Sequence, residues 1–247
     1  MTHVAKMTHR LDIVVLLILI FPMVVHAQTN NGQDTQIMLK RWSFTATATL
    51  YDGGLSEEII KSMRASGFDD PTTRWLFGSG TIKHPQSYPA LTSSITLCYR
   101  YSNRLAIRLF TGTAGAGSIH GYNGDVGKYI FLKESHSTTA LIPSLIAGEV
   151  ARIGIGPALH KLEVQREDAS GGPGFRKTRI GFVLEAGLTF PARTRWFFDI
   201  AFHYRYAGSA EVGPFTTNGW GGGSASIPRT RINFNKTVVS AGIGIRF

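Results

Sequence analysis

The chain has 247 residues, with 26 Lys and Arg against 16 Asp and Glu for a formal net charge of +10, and a mean hydropathy of +0.01. A single cysteine, Cys98, excludes an intramolecular disulfide framework, and no segment after residue 27 offers the ~20 apolar residues of a spanning helix. The basic balance does not point to nucleic acid, because the arginines are spread singly instead of forming a patch or a basic helix; an anionic lipid or polysaccharide surface is the expected counterpart.

At the amino terminus Lys6 and Arg10 precede an apolar run from Ile13 to Val25, and Val25-His26-Ala27 ahead of Gln28 fits the small-residue cleavage rule. Residues 1–27 are therefore expected to be a secretory signal peptide and 28–247 a single all-β domain. Gln28 to Met38 is polar and reads as a short leader. The first strand starts near Arg41, where Trp42, Phe44, Ala46, Ala48 and Leu50 alternate with Ser43, Thr45, Thr47 and Thr49.

Tyr51 to Ala90 breaks the alternation. Ser56 as cap, Glu57 and Glu58 in the first turn, Leu55, Ile59, Ile60 and Met63 on one side and Gly67 as the stop predict a helix. At about eleven residues it is marginal alone, so it is expected to pack on something. The rest of the segment, through Asp69, Asp70, Pro71, Trp75 and Phe77, reads as a long loop.

Strand two is expected from Leu91 to Tyr101 and strand three across Leu105, Ile107 and Leu109, opposed to Arg104, Ala106 and Arg108. Both apolar faces stay on one side only if Tyr101 pairs with Leu105, since a one-residue slip reverses every side chain. That register predicts a bulged turn at Ser102-Asn103-Arg104. Thr113 to His136 is rich in Gly and polar residues and reads as a second loop, with Tyr129 to Leu132 able to extend a strand. Strand four, Thr138 to Ala147, carries the weakest pattern, because Ile142 and Ile146 interrupt the polar face and Pro143 removes a ladder donor.

Strand five sets Ala151, Ile153, Ile155, Pro157 and Leu159 against Arg152, Gly154, Gly156, Ala158 and His160. A third loop is expected from Arg166 to Lys177. Strand six opposes Ile180 through Phe190 to Arg179, Gly181, Val183 and Glu185. Strand seven is the clearest: Trp196, Phe198, Ile200, Phe202, Tyr204 and Tyr206 alternate with Phe197, Asp199, Ala201, His203 and Arg205. Ala207 to Phe234 reads as a long flexible loop. In the last strand Thr237, Val239, Ala241, Ile243, Ile245 and Phe247 share one face, and Lys236, Val238, Ser240, Gly242, Gly244 and Arg246 the other.

Eight strands with connections that alternate long and short match a barrel whose turns are short on one side of a membrane and whose loops are long on the other. The predicted signal peptide, the eight alternating strands and the terminal Ile243-Gly244-Ile245-Arg246-Phe247 together resemble the small outer-membrane barrel proteins typified by OmpX and the OmpA transmembrane domain. The resemblance implies an eight-stranded antiparallel transmembrane β-barrel in the bacterial outer membrane, monomeric, in contact with outer-membrane lipids and lipopolysaccharide. It also implies that Phe247 is a signal read by the barrel-assembly machinery. The helix in the first long loop departs from the most compact members.

The inward face is expected to hold Arg100, Arg104, Arg108, Arg152, Arg179, Arg205 and Arg246, answered by Glu185 and Asp199. Those two carboxylates, on adjacent strands and one face, could share a proton or serve as acid and base, but with seven arginines an ion-pair network is the simpler account. His136-Ser137 invites comparison with lipid-A hydrolases, yet adjacency supplies neither a base nor an orienting acid, and strand neighbours point to opposite faces. Asp69 and Asp70 lack the spaced oxygens of a calcium loop, and Gly221 to Gly223 lack the strand and helix of a phosphate loop. Cys98 is expected to face the lumen as an inert thiol. No cofactor, metal or nucleic acid is called for. The expected role is structural or surface-interactive, carried by the loops 51–90 and 207–234 and an extracellular ligand. A lipid-modifying or phospholipid-cleaving barrel and a small channel or carrier are the alternatives. A soluble lipocalin-type barrel would bury its apolar faces and expose its charges.

Overall fold

The computed structural model describes residues 41–51, 55–69, 86–148, 150–166, 174–218 and 223–247. The expected signal peptide and leader, Asp70, Trp75, Phe77, Gly221 and Gly222 lie outside the described residues.

The elements are β1 (Trp42–Tyr51), α1 (Glu57–Ala65), β2 (Phe68–Asp69), β3 (Gln86–Pro89), β4 (Ser93–Arg100), β5 (Leu105–Asn123), β6 (Lys128–Ala147), β7 (Ala151–Arg166) and β8 (Phe175–Phe190). They continue with β9 (Trp196–Tyr206), β10 (Ser209–Val212), β11 (Phe215–Asn218), β12 (Ser224–Ile227), β13 (Thr230–Asn233) and β14 (Lys236–Arg246). Eight of them, β1, β4, β5, β6, β7, β8, β9 and β14, pair antiparallel in that order, and β14 returns to β1. The ring is a closed barrel, which removes the unpaired edges that lipid would not tolerate.

Closure is set by the last strand. Ile245 lies opposite Phe44 and Ile243 opposite Ala46, and the Trp42 and Phe247 main chains exchange hydrogen bonds of 3.3 and 3.0 Å. Gly242 is needed at this seam, because a Cβ there would lie 2.0 Å from the Ala46 carbonyl oxygen. Arg246 is buried inside and Phe247 is 60% exposed.

At the same end of the barrel the predicted hairpin register holds. The Tyr101 N–H donates to the Leu105 carbonyl at 3.0 Å, and the Ser102 hydroxyl accepts from the Leu105 and Arg104 N–H groups at 3.1 and 3.3 Å. The turn is built by that serine.

β9 decides between a membrane and a soluble barrel. Trp196 and Phe198 are 61% and 54% exposed, with Ile200 and Tyr206 beside them, while Asp199, His203 and Arg205 are buried. An apolar exterior around a charged interior is the arrangement for lipid outside; the lipocalin-type alternative requires the reverse.

Three expectations change. The loop expected at 113–136 is instead the upper part of one hairpin: β5 runs 19 residues and β6 runs 20, turning only at 124–127. Between Ala114 and Gly117 the register shifts by one residue, and Gly115 takes a positive φ of 55° there. This is a bulge, which is what glycines inside a strand often mark. Strand four, weakest in the sequence, is therefore one of the two longest. Its Pro143 pairs opposite Ile107 of β5, and the ladder to β7 is broken only between Ala140↔Ala158 and Ser144↔Gly154.

The loop expected at 166–177 shrinks, since β7 reaches Arg166 and β8 begins at Phe175. The loop expected to be flexible at 207–234 instead carries nested hairpins, β10 with β13 and β11 with β12.

A strand crosses a bilayer in about 9–11 residues. β5 to β8 are longer, so they project as a wall, and β3 and β2 add to the free edge of β5 at Gly117–His120 and Tyr122–Asn123. Inside that wall, Ile119, Ile130, Leu132, Leu162 and Val164 meet Leu55, Ile59, Met63 and Phe68 from the α1 segment. Val212, Phe215, Ile227, Ile232 and Phe234 from the hairpins complete the core. This cap is where α1 packs, as its short length demanded.

Candidate functional site: the filled interior and its cap

The lower interior is organised by Arg152. Its guanidinium donates from Nη1 to Asp199 Oδ1 at 2.6 Å and from Nη2 to Oδ2 at 2.8 Å, a two-pronged contact that suits a planar fork. Its Nε donates to Glu185 at 2.5 Å, and Nη1 also donates to the Thr189 hydroxyl at 2.8 Å. Thr189 in turn donates to Asp199 at 2.8 Å. Arg108 forms a second ion pair with Glu185, and His203 Nε2 lies 3.2 Å from the other Glu185 oxygen. Alternation places these groups together: Gly154 is Glu185's partner across β7 and His203 its partner across β9. Arg100, Arg108, Arg152, Arg246 and Cys98 line a cavity of about 30 Å³ beneath this cluster, the space of about one water.

Above the cluster an apolar layer of Phe110, Ala140, Ile142, Ala158 and Val183 crosses the interior. Phe110 packs on His203 at a tilt, with ring centres 4.6 Å apart, and the Arg205 guanidinium lies 5.3 Å from the centre of the same Phe110 ring. Ile142, which broke the polar pattern in the sequence, is part of this layer.

The next layer joins barrel to cap. Glu134, fully buried, accepts from the Ser56 N–H at 2.9 Å and from the Ser56 hydroxyl, and lies 2.5 Å from His136 Nε2. Ser56 sits at the start of α1 but makes no side-chain cap to its own helix; its hydroxyl is turned to Glu134. The far end of the helix is held by Asn123, whose amide donates to the Ser66 carbonyl at 3.1 Å. Gly67 ends α1 with a φ of +78°.

Glu134 lies above the apolar belt, where the outward neighbours on β6 are Lys133 and Ser135. Burial opposes ionisation, but the bonds from His136 and Ser56 and the charge of Lys236 hold its carboxyl below the ordinary range. Burial likewise pushes the His136 imidazole down, against the pull of Glu134.

No family model matches the sequence, and a search of curated proteins found no match. Among solved structures the fold is similar to the outer membrane protein OprG from Pseudomonas aeruginosa, at 13% identity and a TM-score of 0.49 over 85% of this chain and 96% of that one. It is also similar to the outer membrane protein AlkL, at 12% identity and a TM-score of 0.42 over 89% and 95% of the two chains. Neisserial surface protein A gives 12% identity and a TM-score of 0.38 over 83% and 95%.

The expected lumen residues separate into four groups. Arg108, Arg152, Glu185 and Asp199 come together, with Arg100 half-buried beside them. Arg205 is one layer higher, and Arg246 is at the base, where it donates to the Pro191 and Thr194 carbonyls at 3.2 and 2.6 Å and lies 4.2 Å over Phe197. Arg104 and Arg179 are not in the lumen. Arg104 is exposed in the β4–β5 turn, and Arg179 is exposed on β8 above the level where β9 pairs with it.

His136 is buried against Glu134, and Ser137 points the other way across the strand. Asp69 pairs in β2, and no cluster of three or more metal-ligating side chains occurs among the described residues. Sequence reasoning missed Glu134 and Thr189, took Ser56 for a helix cap where its side chain bonds Glu134, and placed His203 on the inner face without its Glu185 partner. For Glu134 the signal was present, because Glu134, His136 and Thr138 recur at every second position.

Proposed function

We propose that the chain is an integral protein of the bacterial outer membrane, exported by residues 1–27, whose role is structural or surface-interactive and is carried by the cap. The observation that carries this reading is the packing of the interior. An Arg152-centred ion cluster, a closed apolar layer and a Glu134 layer lie one above another, which supports an anchor and not a diffusion pore. The cap, with its own apolar core, is then the part that meets the exterior, where an extracellular ligand would be engaged by its polar outer surface.

Planar-bilayer recording of the folded protein, combined with protease treatment of intact cells, tests this. The expected result is no discrete conductance and cleavage confined to the cap. Discrete single-channel steps would instead favour a channel or carrier, and protection of the cap in intact cells would place it on the wrong side of the membrane.

A further inference from the structure

The wall of the cap is not continuous. β8 and β9 are paired from Phe182↔Tyr206 down to Phe190↔Phe198, and at the top of that seam the Tyr206 carbonyl passes over Gly181, 1.9 Å from where a Cβ would stand. Higher up, β8 is paired only with β7, from Gly181 to Phe175, while the chain after β9 pairs β10 with β13 instead. The seam opens into a cleft of about 560 Å³, lined by Lys177, Thr178, Arg179, Ser209, Glu211 and Arg231 among others.

Two cations of β8, Lys177 and Arg179, face a third, Arg231, whose cross-strand neighbour Glu211 on β10 is the one carboxylate of the lining. Lys177 and Arg179 share the strand parity of Val183 and Glu185, so they stand on the inner side of β8 and border the gap. Arg231 is oriented by a hydrogen bond from its Nε to the Ser209 hydroxyl at 2.6 Å.

Directly below, the outer surface is apolar. Ile180 is 81% exposed, and Phe182 stacks on Tyr206 with ring centres 4.9 Å apart. The cleft thus sits where a lipid-facing surface gives way to basic side chains.

Resting on the outer-membrane reading above, we infer that this cleft takes the phosphate-bearing headgroup of a lipid in the surrounding leaflet, with Lys177, Arg179 and Arg231 as its partners. A soluble anion would use the cations and leave the apolar outer surface below them untouched; a phosphorylated lipid uses both, its acyl chains lying along Ile180 and Phe182 on the outward face of β8. Charges along a strand edge also discourage strand addition, but that role predicts no selectivity for phosphate.

The test is native mass spectrometry of the folded full chain in zwitterionic detergent. Its probes are bis-phosphorylated lipid A, enzymatically dephosphorylated lipid A, and inorganic phosphate as competitor. The variants are Lys177→Gln/Arg179→Gln/Arg231→Gln and, as a charge control, Lys61→Gln/Arg64→Gln on the exposed face of α1.

The triple variant should bind lipid A about tenfold more weakly, as three exposed ion pairs together allow, with the control unchanged. Dephosphorylated lipid should bind wild type as weakly as lipid A binds the triple variant, and millimolar phosphate should not displace lipid A. Equal loss in the control, equal binding of the dephosphorylated lipid, or no loss in the triple variant overturns the proposal. Displacement by inorganic phosphate assigns the cleft to a free anion instead and overturns the lipid. A chain that fails to insert into vesicles sinks the outer-membrane reading itself, whereas one that inserts and shows no phosphate selectivity sinks only this inference.

Discussion

Along β7, Ile153, Ile155, Pro157 and Leu159 face outward in the lower part while Arg152 and His160 face inward; higher up, Lys161 and Glu163 face outward and Leu162 and Val164 inward. The backbone does not change face between the two halves, since its pairing with β8 runs unbroken from Ala151↔Leu188 to Val164↔Phe175. What changes is the medium outside. In the trunk the apolar residues meet lipid and the polar ones fill the barrel; in the cap water is outside and the apolar residues turn in. The trunk and the cap are therefore held by different physics, ion pairs below and apolar burial above, and each can be attacked without the other.

The largest effect should come from Arg152. Truncation to Ala leaves Glu185 and Asp199 buried with fewer partners, and breaking a buried ion cluster in this way costs about 3–5 kcal/mol. Urea unfolding of the barrel in vesicles, followed by tryptophan fluorescence, should show that loss, while amide exchange in α1 stays as in wild type. A trunk that unfolds at unchanged urea concentration would mean that strand pairing alone holds it.

Ile59→Ala makes the converse attack. Ile59 is fully buried in the cap core, and removing such a side chain costs about 2–4 kcal/mol through lost transfer and the cavity left behind. Exchange at the α1 amides should accelerate while the urea midpoint of the barrel is preserved. If both fall together, trunk and cap form one cooperative unit and the contrast drawn from β7 is wrong.

The same contrast explains what could be read from the sequence. The lower strands announced themselves because one alternation runs through each, and Trp196 to Tyr206 settled the architecture almost unaided. The upper strands did not, because the alternation changes phase where lipid gives way to water. In β7 the switch falls between Leu159 and Leu162. In β5 the change of medium coincides with the bulge at Ala114–Gly117, which carries the odd positions from outward Leu109 to buried Ile119, and its Ala-Gly-Ala-Gly looked like a loop. Arg104 and Arg179 were misplaced for a related reason: parity gives a face, but not whether a strand is still enclosed at that height. The Ser56–Glu134 contact joins residues 78 apart, and no local pattern reports a partner at that distance.

The smallest of the three effects concerns that contact, which joins cap to trunk. In Glu134→Gln the side chain keeps one carbonyl oxygen for two Ser56 donors, and its new amide can be accepted only if the His136 imidazole switches tautomer, so α1 docking should weaken by about 1–2 kcal/mol. Acidification should do the same without a mutation. Glu134 is held below the ordinary carboxylate range, so its contribution is complete above about pH 4.5 and is lost as the pH falls through its lowered value. The buried His136 imidazole is held below its ordinary 6.5, and because the undocked state then binds protons more readily, its contribution shrinks as the pH falls below 6.5. Both act in the same direction, so protection of the α1 amides, corrected for intrinsic exchange, should decline from pH 7 in two stages. Glu134→Gln should remove the lower stage, leaving whatever His136 contributes above it. Flat protection from pH 7 to well below pH 4.5 in wild type would show that the helix is held by the apolar core alone, with Glu134 a bystander to its docking.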